Sequence, residues 1–600
     1  MSPTLASITL TSLDWSFIIG FFIIALGIGV YTSKQAGKSE ADFFLGGRTM
    51  PWWLLGFSMV ATTFSTDTPN LVTNLVRESG VSGNWCWWVF LLTGMLTVFV
   101  FSKIWRRSNL TTDVEFYEMR YSGKEAAFLR WFRSIYLGVF LNVMIMASVS
   151  LAAIKIGGIM LGLEPWECIV YAAGVTVIFS SLGGFKGVLL TDFLLFIIAM
   201  VGAVAAAYYA LGHEAVGGLS GMLEKFSANS EMESKLNFFP QPGTDGFVTF
   251  LMIPLLIGWW SSWYPGAEPG GGGYLAQRML AAKNEKHAVG ATLFFNACHY
   301  AVRPWPWIIV ALCSLIVFPD IESIKAAFPE AENVANDSAY SAMLTFLPTG
   351  WMGLVLTSLV AAYMSTISTH LNWGSSYIVN DVYLRFLKPN ASQKELVWIG
   401  RISTVVLMII AGVIALNMES AQKNFQLLLA IGAGTGSIYI LRWFWWRVNA
   451  YSEIAGMLFA TLNAFLFWRF DNFGLSGSMP LVASVAITTI GWIVVTLMTR
   501  PTDKATLRGF VKQTNPGGPG WQKIYREAQA EGEPIDFLHS ESNIQRGLIC
   551  MILACAAVYS FLFGTGYVLY GQSIAASICS IITIISSFLV YRIWFCADEK

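Results

Sequence analysis

The sequence predicts an all-α membrane protein, and three observations lead to this fold class. Of its 600 residues, 55% are hydrophobic and only 12% are charged, whereas soluble proteins carry about 25% charged residues. Apolar runs long enough to cross a bilayer, which takes about 20 residues, recur along the whole chain. Basic residues collect in alternate loops between these runs. Because so few charges cannot cover a large water-exposed surface, the apolar segments are expected to face lipid.

About fifteen segments have the length and composition of a spanning helix. The first, Leu13 to Tyr31, follows no basic region and no small-residue cleavage site, so we expect a retained helix rather than a signal peptide. The segments lie near 13–31, 52–76, 83–102, 128–161, 165–182, 188–211, 247–275, 288–318, 341–385, 395–417, 422–446, 450–469, 478–499, 545–570 and 572–595.

The charge of the loops predicts the orientation. The loop at 319–340 is acidic, and the loops on the other side are basic. By the positive-inside rule, the N-terminus is expected outside the cell and the C-terminus in the cytoplasm. The expected location is the plasma or inner cell membrane. The basic residues fall at 32–51, 103–133, 278–287, 385–394, 442–447 and 500–512.

Two apolar segments contain residues that interrupt a helix at membrane depth. The second has Asp67 and Thr68 before Pro69, and proline removes a backbone donor. The seventh has Pro265 and the glycine run 270–273. Irregular backbone is tolerated there only inside protein or beside a wet cavity. An alternative stays open for each segment. Asp67 could be a structural buried acid whose carboxyl is hydrogen-bonded by neighbouring hydroxyls, and the glycine run could be a surface turn at the membrane edge.

Interrupted helices at matching positions of two halves indicate a transporter with inverted repeats. Five spans separate the starts of the two interrupted segments. We therefore expect a ten-helix core of five plus five helices, with about five additional transmembrane helices. The expected division is a leading helix and loop at 1–51, a first repeat at 52–211, an external loop at 212–246, a second repeat at 247–446 and peripheral helices at 447–600 with a cytoplasmic loop at 499–543.

No stretch of the chain indicates catalysis or nucleotide binding. The longest hydrophilic stretch, about 500–543, is too short for a soluble catalytic domain, and a P-loop, HExxH and GxSxG are all missing. His287, His299 and His370 are too scattered for a metal site, and the eight cysteines form no CxxC pair. We expect no enzymatic activity, no nucleic acid and no obligate protein partner. The expected partners are a small-molecule solute and the lipid bilayer.

The ninth segment carries hydroxyl residues at helical spacing. Ser365, Thr366, Ser368 and Thr369 occur there, and Ser365 shares one face with Ser368 and Thr369. A sodium ion needs several hard oxygen ligands, which hydroxyls and freed carbonyls supply without excess charge. Small hydroxyl residues are also common where membrane helices pack, and this alternative stays open.

Three motifs stand in the chain: A-x-M-S-T-x-S-T at 362–369 with D-x-Y at 381–383, G-G-F at 183–185 with T-D at 191–192, and Q-R-x-L-A-A-K at 277–283. They resemble the sodium:solute symporter family over about residues 13–470. That family includes the bacterial proline, galactose and sialic acid symporters and shares its core with the leucine transporter.

The resemblance implies a main sodium site where the interrupted second segment meets the ninth. It assigns a carbonyl ligand to Ala362 and hydroxyl ligands to Ser365 and Thr366. The partner carbonyls from the unwound helix are placed at Ala61 and Phe64. Na+ is thus the expected coupling ion.

The resemblance also implies a possible second sodium site. Its ligands are Asp192 with Ser365, Ser368 and Thr369. The alternative for Asp192 is a helix cap near the cytoplasmic surface.

The solute cavity is expected between the two interruptions, near the bilayer midplane. Its contacts are not inherited from the family, because the segments at 65–69 and 259–273 depart from the family's versions. The candidate solute residues are Thr63, Asp67, Thr68, Asn84, Trp87, Trp263, Tyr264, Glu268, His299, Arg303 and Gln426.

The pairing of Arg303 distinguishes two classes of solute. It lies roughly 20 Å into its span, and a charge at that depth marks a functional site with a partner. An ion pair with Glu268 or Asp67 favours a neutral polyhydroxylated solute, whereas an unpaired Arg303 favours a carboxylate.

These expectations describe sodium-coupled symport of a small organic solute by alternating access. A sugar or polyol is favoured over an amino acid or carboxylate. A non-transporting sensor and a proton-coupled carrier of the same fold remain alternatives.

Overall fold

The computed structural model describes residues 10–36, 39–261, 268–329, 331, 334–418, 432–475, 477–535 and 540–596. Eleven helices in these ranges are long and apolar enough to cross a membrane. The described chain contains no extended strand, although Met50 and Ala282 form an isolated backbone bridge. The predicted all-α membrane class is confirmed.

Sixteen helices, numbered here in chain order, build the membrane body described by the structure. They are α1 Ser12–Ala36, α2 Trp52–Thr62, α3 Asp67–Ser79, α4 Val81–Ser108, α5 Gly123–Leu161, α6 Pro165–Leu211, α7 Phe247–Ser261, α8 Gly273–Ala281, α9 Glu285–Val317, α10 Trp351–Leu387, α11 Gln393–Leu416, α12 Gly436–Phe444, α13 Ala450–Arg469, α14 Met479–Met498, α15 Ile544–Leu569 and α16 Ser573–Phe595. Short helices connect them, including Phe116–Arg120, Ser338–Leu344, Lys504–Thr514 and Gln522–Ala530.

The structure corrects the bounds of three expected spans. The spans at 165–182 and 188–211 join without a loop in α6, whose 47 residues are interrupted at Gly184. Gly184 has φ 55° and ψ −165°, a conformation that only glycine adopts readily. The span expected at 341–385 begins at Trp351, because Gly350 with φ 86° separates it from Ser338–Leu344.

The first predicted interruption is present, since α2 ends at Thr62 and α3 begins at Asp67. At the second, residues 262–267 lie outside the described chain, Glu268 to Gly272 are not helical, and α8 begins at Gly273. The span expected at 422–446 is described only from residue 432 onward.

Burial separates an inner bundle from peripheral helices. In their most apolar stretches, 89% of the residues of α10 and 83% of those of α4 are buried, against 28% in α14 and 17% in α16. Apolar side chains that are exposed on a spanning helix are those that lipid covers. The helices α4 and α10 therefore belong to the interior, while α14 and α16 lie at the rim.

Asp14 of α1 ties this helix to the start of α10. Its carboxylate accepts the backbone N–H groups of Gly350 and Gly353, both at 2.8 Å. The first N–H groups of a helix lack intrahelical partners, so this contact satisfies two of them. A Cβ at Gly353 would meet the Asp14 Cα at 2.3 Å, so only glycine permits the approach.

Candidate functional site

Residues 63–66, called here the α2–α3 link, form the break in the first interrupted helix. Pro69 has no N–H to donate to the Ser65 carbonyl, which accepts the Thr68 N–H at 3.2 Å, and the Ser65 hydroxyl donates to the Asp67 carboxylate. The Phe64 N–H still reaches the Val60 and Ala61 carbonyls at 3.0 Å each. The link is thus a tight turn that frees backbone oxygens for other partners.

The hydroxyl face of α10 packs directly on the end of α2. The Thr366 hydroxyl donates to the Thr62 carbonyl at 2.8 Å, and the Thr62 and Thr369 hydroxyl oxygens lie 3.0 Å apart. The residues predicted for the main sodium site are all buried in this region, and they are Ala61, Phe64, Ala362, Ser365 and Thr366. The sequence interpretation missed Thr62, although it stands one turn after Ser58 on the same face.

Asp192 of α6 completes the contact between α2 and α10. Its carboxylate accepts the Ser365 hydroxyl at 2.6 Å and the Ser58 hydroxyl at 2.5 Å. Asp192 has no solvent exposure and lies within α6 beyond the Gly184 break, so it is not the cap of a helix start. Three helices therefore meet at one buried carboxylate.

Arg278 of α8 brings a buried positive charge to the same place. Its guanidinium donates to the Ser58 hydroxyl at 3.1 Å and to the Thr369 hydroxyl at 2.7 Å. Of the four residues predicted for a second sodium site, Ser365 contacts Asp192, Thr369 contacts Arg278, and Ser368 donates to the Ser365 carbonyl at 3.1 Å. Arg278 was recognised only as part of a motif and not as a member of the site.

A second cluster lies on the other side of the link, where α9 meets it. The Thr63 hydroxyl lies 2.9 Å from His299 Nδ1 and accepts from Arg303 Nη1 at 3.1 Å. His299 sits in a π-helical turn that precedes Pro304, where the helix lacks a backbone donor. The Thr68 hydroxyl donates to the Thr63 carbonyl at 3.3 Å. Four of the predicted solute residues are thus brought together.

Aromatic contacts extend this cluster to α4. The Trp87 ring meets His299 edge-on, with 5.7 Å between ring centroids, and stacks on Tyr300 at 5.8 Å. Its indole N–H donates to the Asn84 side chain at 2.9 Å. Asn84 and Trp87 therefore join the cluster through one face of His299.

Arg303 forms no ion pair with a carboxylate in the described chain. Its guanidinium lies 5.2 Å from the Trp307 ring centroid, and its Nε–H finds no hydrogen-bond partner there. Glu268 contacts a different arginine, whereas Asp67 accepts from Ser65 and still interacts with Arg303 through charge without forming a close ion pair.

Glu268 lies in a separate buried network. Its carboxylate pairs with Arg133 at 3.0 Å, and within the described residues no contact joins it to Thr63, His299 or Arg303. Arg133 also donates to the hydroxyls of Tyr439 and Tyr117, both at 2.9 Å. This network, defined as Arg133, Glu268, Tyr439 and Tyr117, joins α5, α12 and the helix Phe116–Arg120 on the side of the basic loops.

Asp113 holds the start of α8 against this network. It accepts the Gly273 N–H at 2.7 Å and also the Tyr377 hydroxyl. Burial, and then the negative charge of Glu268, raise the pKa of Asp113 to about 6. At neutral pH the carboxylate remains charged and accepts both hydrogen bonds.

Three polar side chains of α3 are buried without a hydrogen-bond partner in the described chain. They are Asn70, with both amide atoms unpaired, the Thr73 hydroxyl and the Asn74 amide nitrogen. Their exposed fractions are 4%, 0% and 7%. Positions three and four apart share a helix face, and Asp67 precedes Asn70 by one turn. Buried polar groups are nearly always paired, so this face is suited to a polar ligand.

Asn70, Thr73 and Asn74 were not among the predicted solute residues. The available signal was three polar residues at helical spacing in an apolar segment. Trp263, Tyr264 and Gln426, which were also predicted, lie outside the described residues. Within the described chain, no three His, Cys, Asp or Glu side chains cluster in a way that would hold a metal ion. The oxygen ligands near Asp192 are mainly hydroxyls and carbonyls.

A buried helical bundle whose interrupted helix meets a hydroxyl-bearing intact helix defines a membrane transporter. Comparison with known proteins agrees with this class. The family model described as "Sodium:solute symporter family" matches residues 43–460, and the chain belongs to that family. It is a multi-pass sodium-coupled symporter of small solutes, with Na+ as the coupling ion.

Two relatives and one solved structure illustrate the likeness. Sodium/myo-inositol cotransporter 2 of Oryctolagus cuniculus is 27% identical over 487 residues, covering 76% of this chain and 69% of the relative. The sodium/glucose cotransporter of Vibrio parahaemolyticus is 25% identical over 507 residues, covering 80% and 88%. A substrate-bound, outward-open Na+-coupled sialic acid symporter aligns with a TM-score of 0.67 at 19% identity, covering 82% of this chain and 99% of that one. The structural likeness shows a common fold.

Proposed function

We propose that the transported solute is a sugar or polyol, bound between α3, α4 and α9 and carried by alternating access. The observation that carries this proposal is the face of unpaired amides and hydroxyl at Asn70, Thr73 and Asn74. Amides both donate and accept, as hydroxyl groups of a polyol do. The names of the relatives, which are myo-inositol and glucose cotransporters, favour the same class.

Replacing Asn70 by alanine tests the solute class. A lost amide contact of about 1–2 kcal/mol raises the solute KM roughly 5- to 30-fold. The measurement is sodium-driven uptake of labelled myo-inositol and of glucose into proteoliposomes.

Asn463→Ala is the matched control, because the Asn463 amide already donates to Thr488 at 3.1 Å in peripheral helices. We expect its KM to stay within about twofold of the wild type, since it touches no part of the proposed solute site. An unchanged KM in Asn70→Ala for every accumulated polyol contradicts the proposal.

A carboxylate-bearing solute is the second candidate, and Arg303 favours it. A buried guanidinium without a carboxylate partner is suited to binding one from a ligand. In the polyol proposal Arg303 instead acts as a positioning residue that holds Thr63 of the link.

Competition between glucuronate and glucose separates the two candidates. If the solute is a polyol, glucuronate inhibits uptake no better than glucose does. If Arg303 binds a carboxylate, glucuronate is preferred by roughly 10- to 150-fold, the value of a charged hydrogen-bonded contact of about 1.5–3 kcal/mol. Arg303→Gln then removes the preference, while Arg303→Lys keeps the charge without the two-pronged geometry.

The sodium sites are proposed at the contact of α2 and α10. The main site comprises Ala61, Phe64, Ala362, Ser365 and Thr366, with Thr62 added on the basis of its hydrogen bond to Thr366. A second sodium is proposed beside Asp192, with Ser365, Ser368 and Thr369. The close approach of Asp192 to Ser365 supports this second set.

The Arg133–Glu268 network is proposed to close the cytoplasmic side of the carrier. This assignment takes the N-terminus as external and the C-terminus as cytoplasmic in the cell membrane, with the two five-helix repeats at 52–211 and 247–446. The network joins helices of both repeats at the end that bears the basic loops. An inward-facing state then requires these contacts to separate.

We further propose that the chain is a carrier without enzymatic activity, nucleic-acid binding or an obligate protein partner. Purified protein that accumulates solute in proteoliposomes separates this proposal from a sensor of the same fold, which binds without accumulation. Uptake driven by a pH jump in the absence of sodium is the result that favours proton coupling.

A further inference from the structure

A lateral cavity of about 710 Å³ lies between α1, α5, α6 and α10 and reaches the α2–α3 link. Its volume falls in the range of about 300–1,000 Å³ that small-molecule sites occupy. Its lining includes Trp15, Ile156, Gly174, Leu359, Tyr363 and, from the α2–α3 link, Thr66.

The wall of this cavity offers almost nothing to a polar ligand. The Thr66 hydroxyl already donates to the Val149 carbonyl at 3.2 Å, and the Tyr363 hydroxyl lies 3.1 Å from Ser150 Oγ. The remaining wall is chiefly aliphatic and aromatic. Water and sugars would lose hydrogen bonds on entering, so neither fits this space.

The mouth of the cavity opens among side chains that face lipid. Trp15, Val170, Tyr171 and Ile178 line it and are 49%, 56%, 58% and 54% exposed on spanning helices. Leu163, in the turn between α5 and α6, lines the end nearest the start of α1. The cavity therefore opens sideways into the membrane leaflet that faces the start of α1.

We propose that this cavity binds one acyl chain of a membrane phospholipid. An apolar space that opens into hydrocarbon is filled by the apolar chains around it, and every methylene buried there is favourable. At its inner end the chain reaches Ile156 and Leu359, which are 3% and 2% exposed and thus lie behind the lipid-facing surface.

The bound chain touches the break in the interrupted helix. Thr66 belongs to the α2–α3 link, and its hydrogen bond to Val149 fastens the link to α5 beside the cavity. The acyl chain packs against Thr66, so the lipid site lies next to the break between α2 and α3.

Photolabelling in nanodiscs tests the proposal. The probe is a phosphatidylcholine that carries a diazirine near the middle of one acyl chain, and the labelled residues are identified by peptide mass spectrometry. We expect labels on Ile156 and Leu359 as well as on the lipid-facing rim. Labels confined to the exposed rim overturn the proposal.

Gly174→Trp fills the cavity and is the decisive variant, since a Cβ at Gly174 meets no heavy atom within 4 Å. We expect labelling of Ile156 and Leu359 to fall about tenfold or more, because each excluded methylene weakens binding by about fourfold. Gly20→Trp is the control, placed in α1 with equally open space but outside the cavity. Equal loss in both variants, or no loss in Gly174→Trp, contradicts the assignment.

Discussion

Replacing Ser365 and Thr366 together by alanine is expected to abolish the sodium dependence of uptake. The variant removes two hydroxyl ligands, and it also removes the contacts to Asp192 and to the Thr62 carbonyl. At about 1–1.5 kcal/mol for each hydroxyl, the apparent sodium affinity falls roughly 30- to 150-fold. The measurement is solute uptake into proteoliposomes as a function of the sodium gradient.

Thr357→Ala with Ser358→Ala is the matched control on the same helix. Both hydroxyls are buried and donate to carbonyls of their own helix, Gly353 and Val355. We expect nearly unchanged sodium dependence in this control. Sodium-driven uptake that survives intact in the Ser365 and Thr366 double variant refutes the main site, and the sodium-to-solute ratio of the wild type reports whether a second sodium is transported.

Breaking the Arg133–Glu268 pair is expected to stop transport by releasing the cytoplasmic closure. Both side chains are almost fully buried, and removing one partner of a buried ion pair costs about 3–5 kcal/mol. For Arg133→Gln we expect uptake to fall more than about 100-fold, because about 3 kcal/mol is lost from the outward-facing state. Hydrogen exchange of α8 and α12 is expected to quicken.

Arg385→Gln provides the comparison, since Arg385 pairs with Glu118 on the same side but is 49% exposed. Exposed pairs contribute about 0–1 kcal/mol, so we expect nearly normal uptake. The double variant Arg133→Glu with Glu268→Arg is expected to recover part of the activity, which separates gating from misfolding. Arg133→Gln protein that retains most of its uptake contradicts the gate.

The interrupted helix was predictable because its cause is local. Pro69 removes a donor, and hydroxyl and carboxyl side chains beside it offer the backbone competing partners. The hydroxyl face of α10 was predictable from spacing alone, since positions three and four apart share a face. Residues 183–187 were expected as a loop between two spans. Two neighbouring glycines indicate a break in the helix, but they do not show whether the chain leaves the helix for several residues or only at Gly184.

The hydrogen-bond partners of Asp192 could not be predicted from local sequence patterns. Ser58 lies 134 residues away from it and Ser365 lies 173 residues away, so only the tertiary fold unites them. Glu268 was placed with the solute because it lies within the second interruption. Its carboxylate instead meets Arg133, since irregular chain advances about 3.3 Å per residue and soon leaves the level of the break.

The buried positive charge of Arg278 compensates the negative charge of the Asp192 carboxylate. When a cation departs from the proposed second position, the negative charge left behind is still balanced from within the protein. The cost of carrying the Asp192 carboxylate back through a low-dielectric interior without sodium is thereby lowered. This internal balance offers a physical reason why the proposed second sodium can leave without stranding an uncompensated charge inside the membrane.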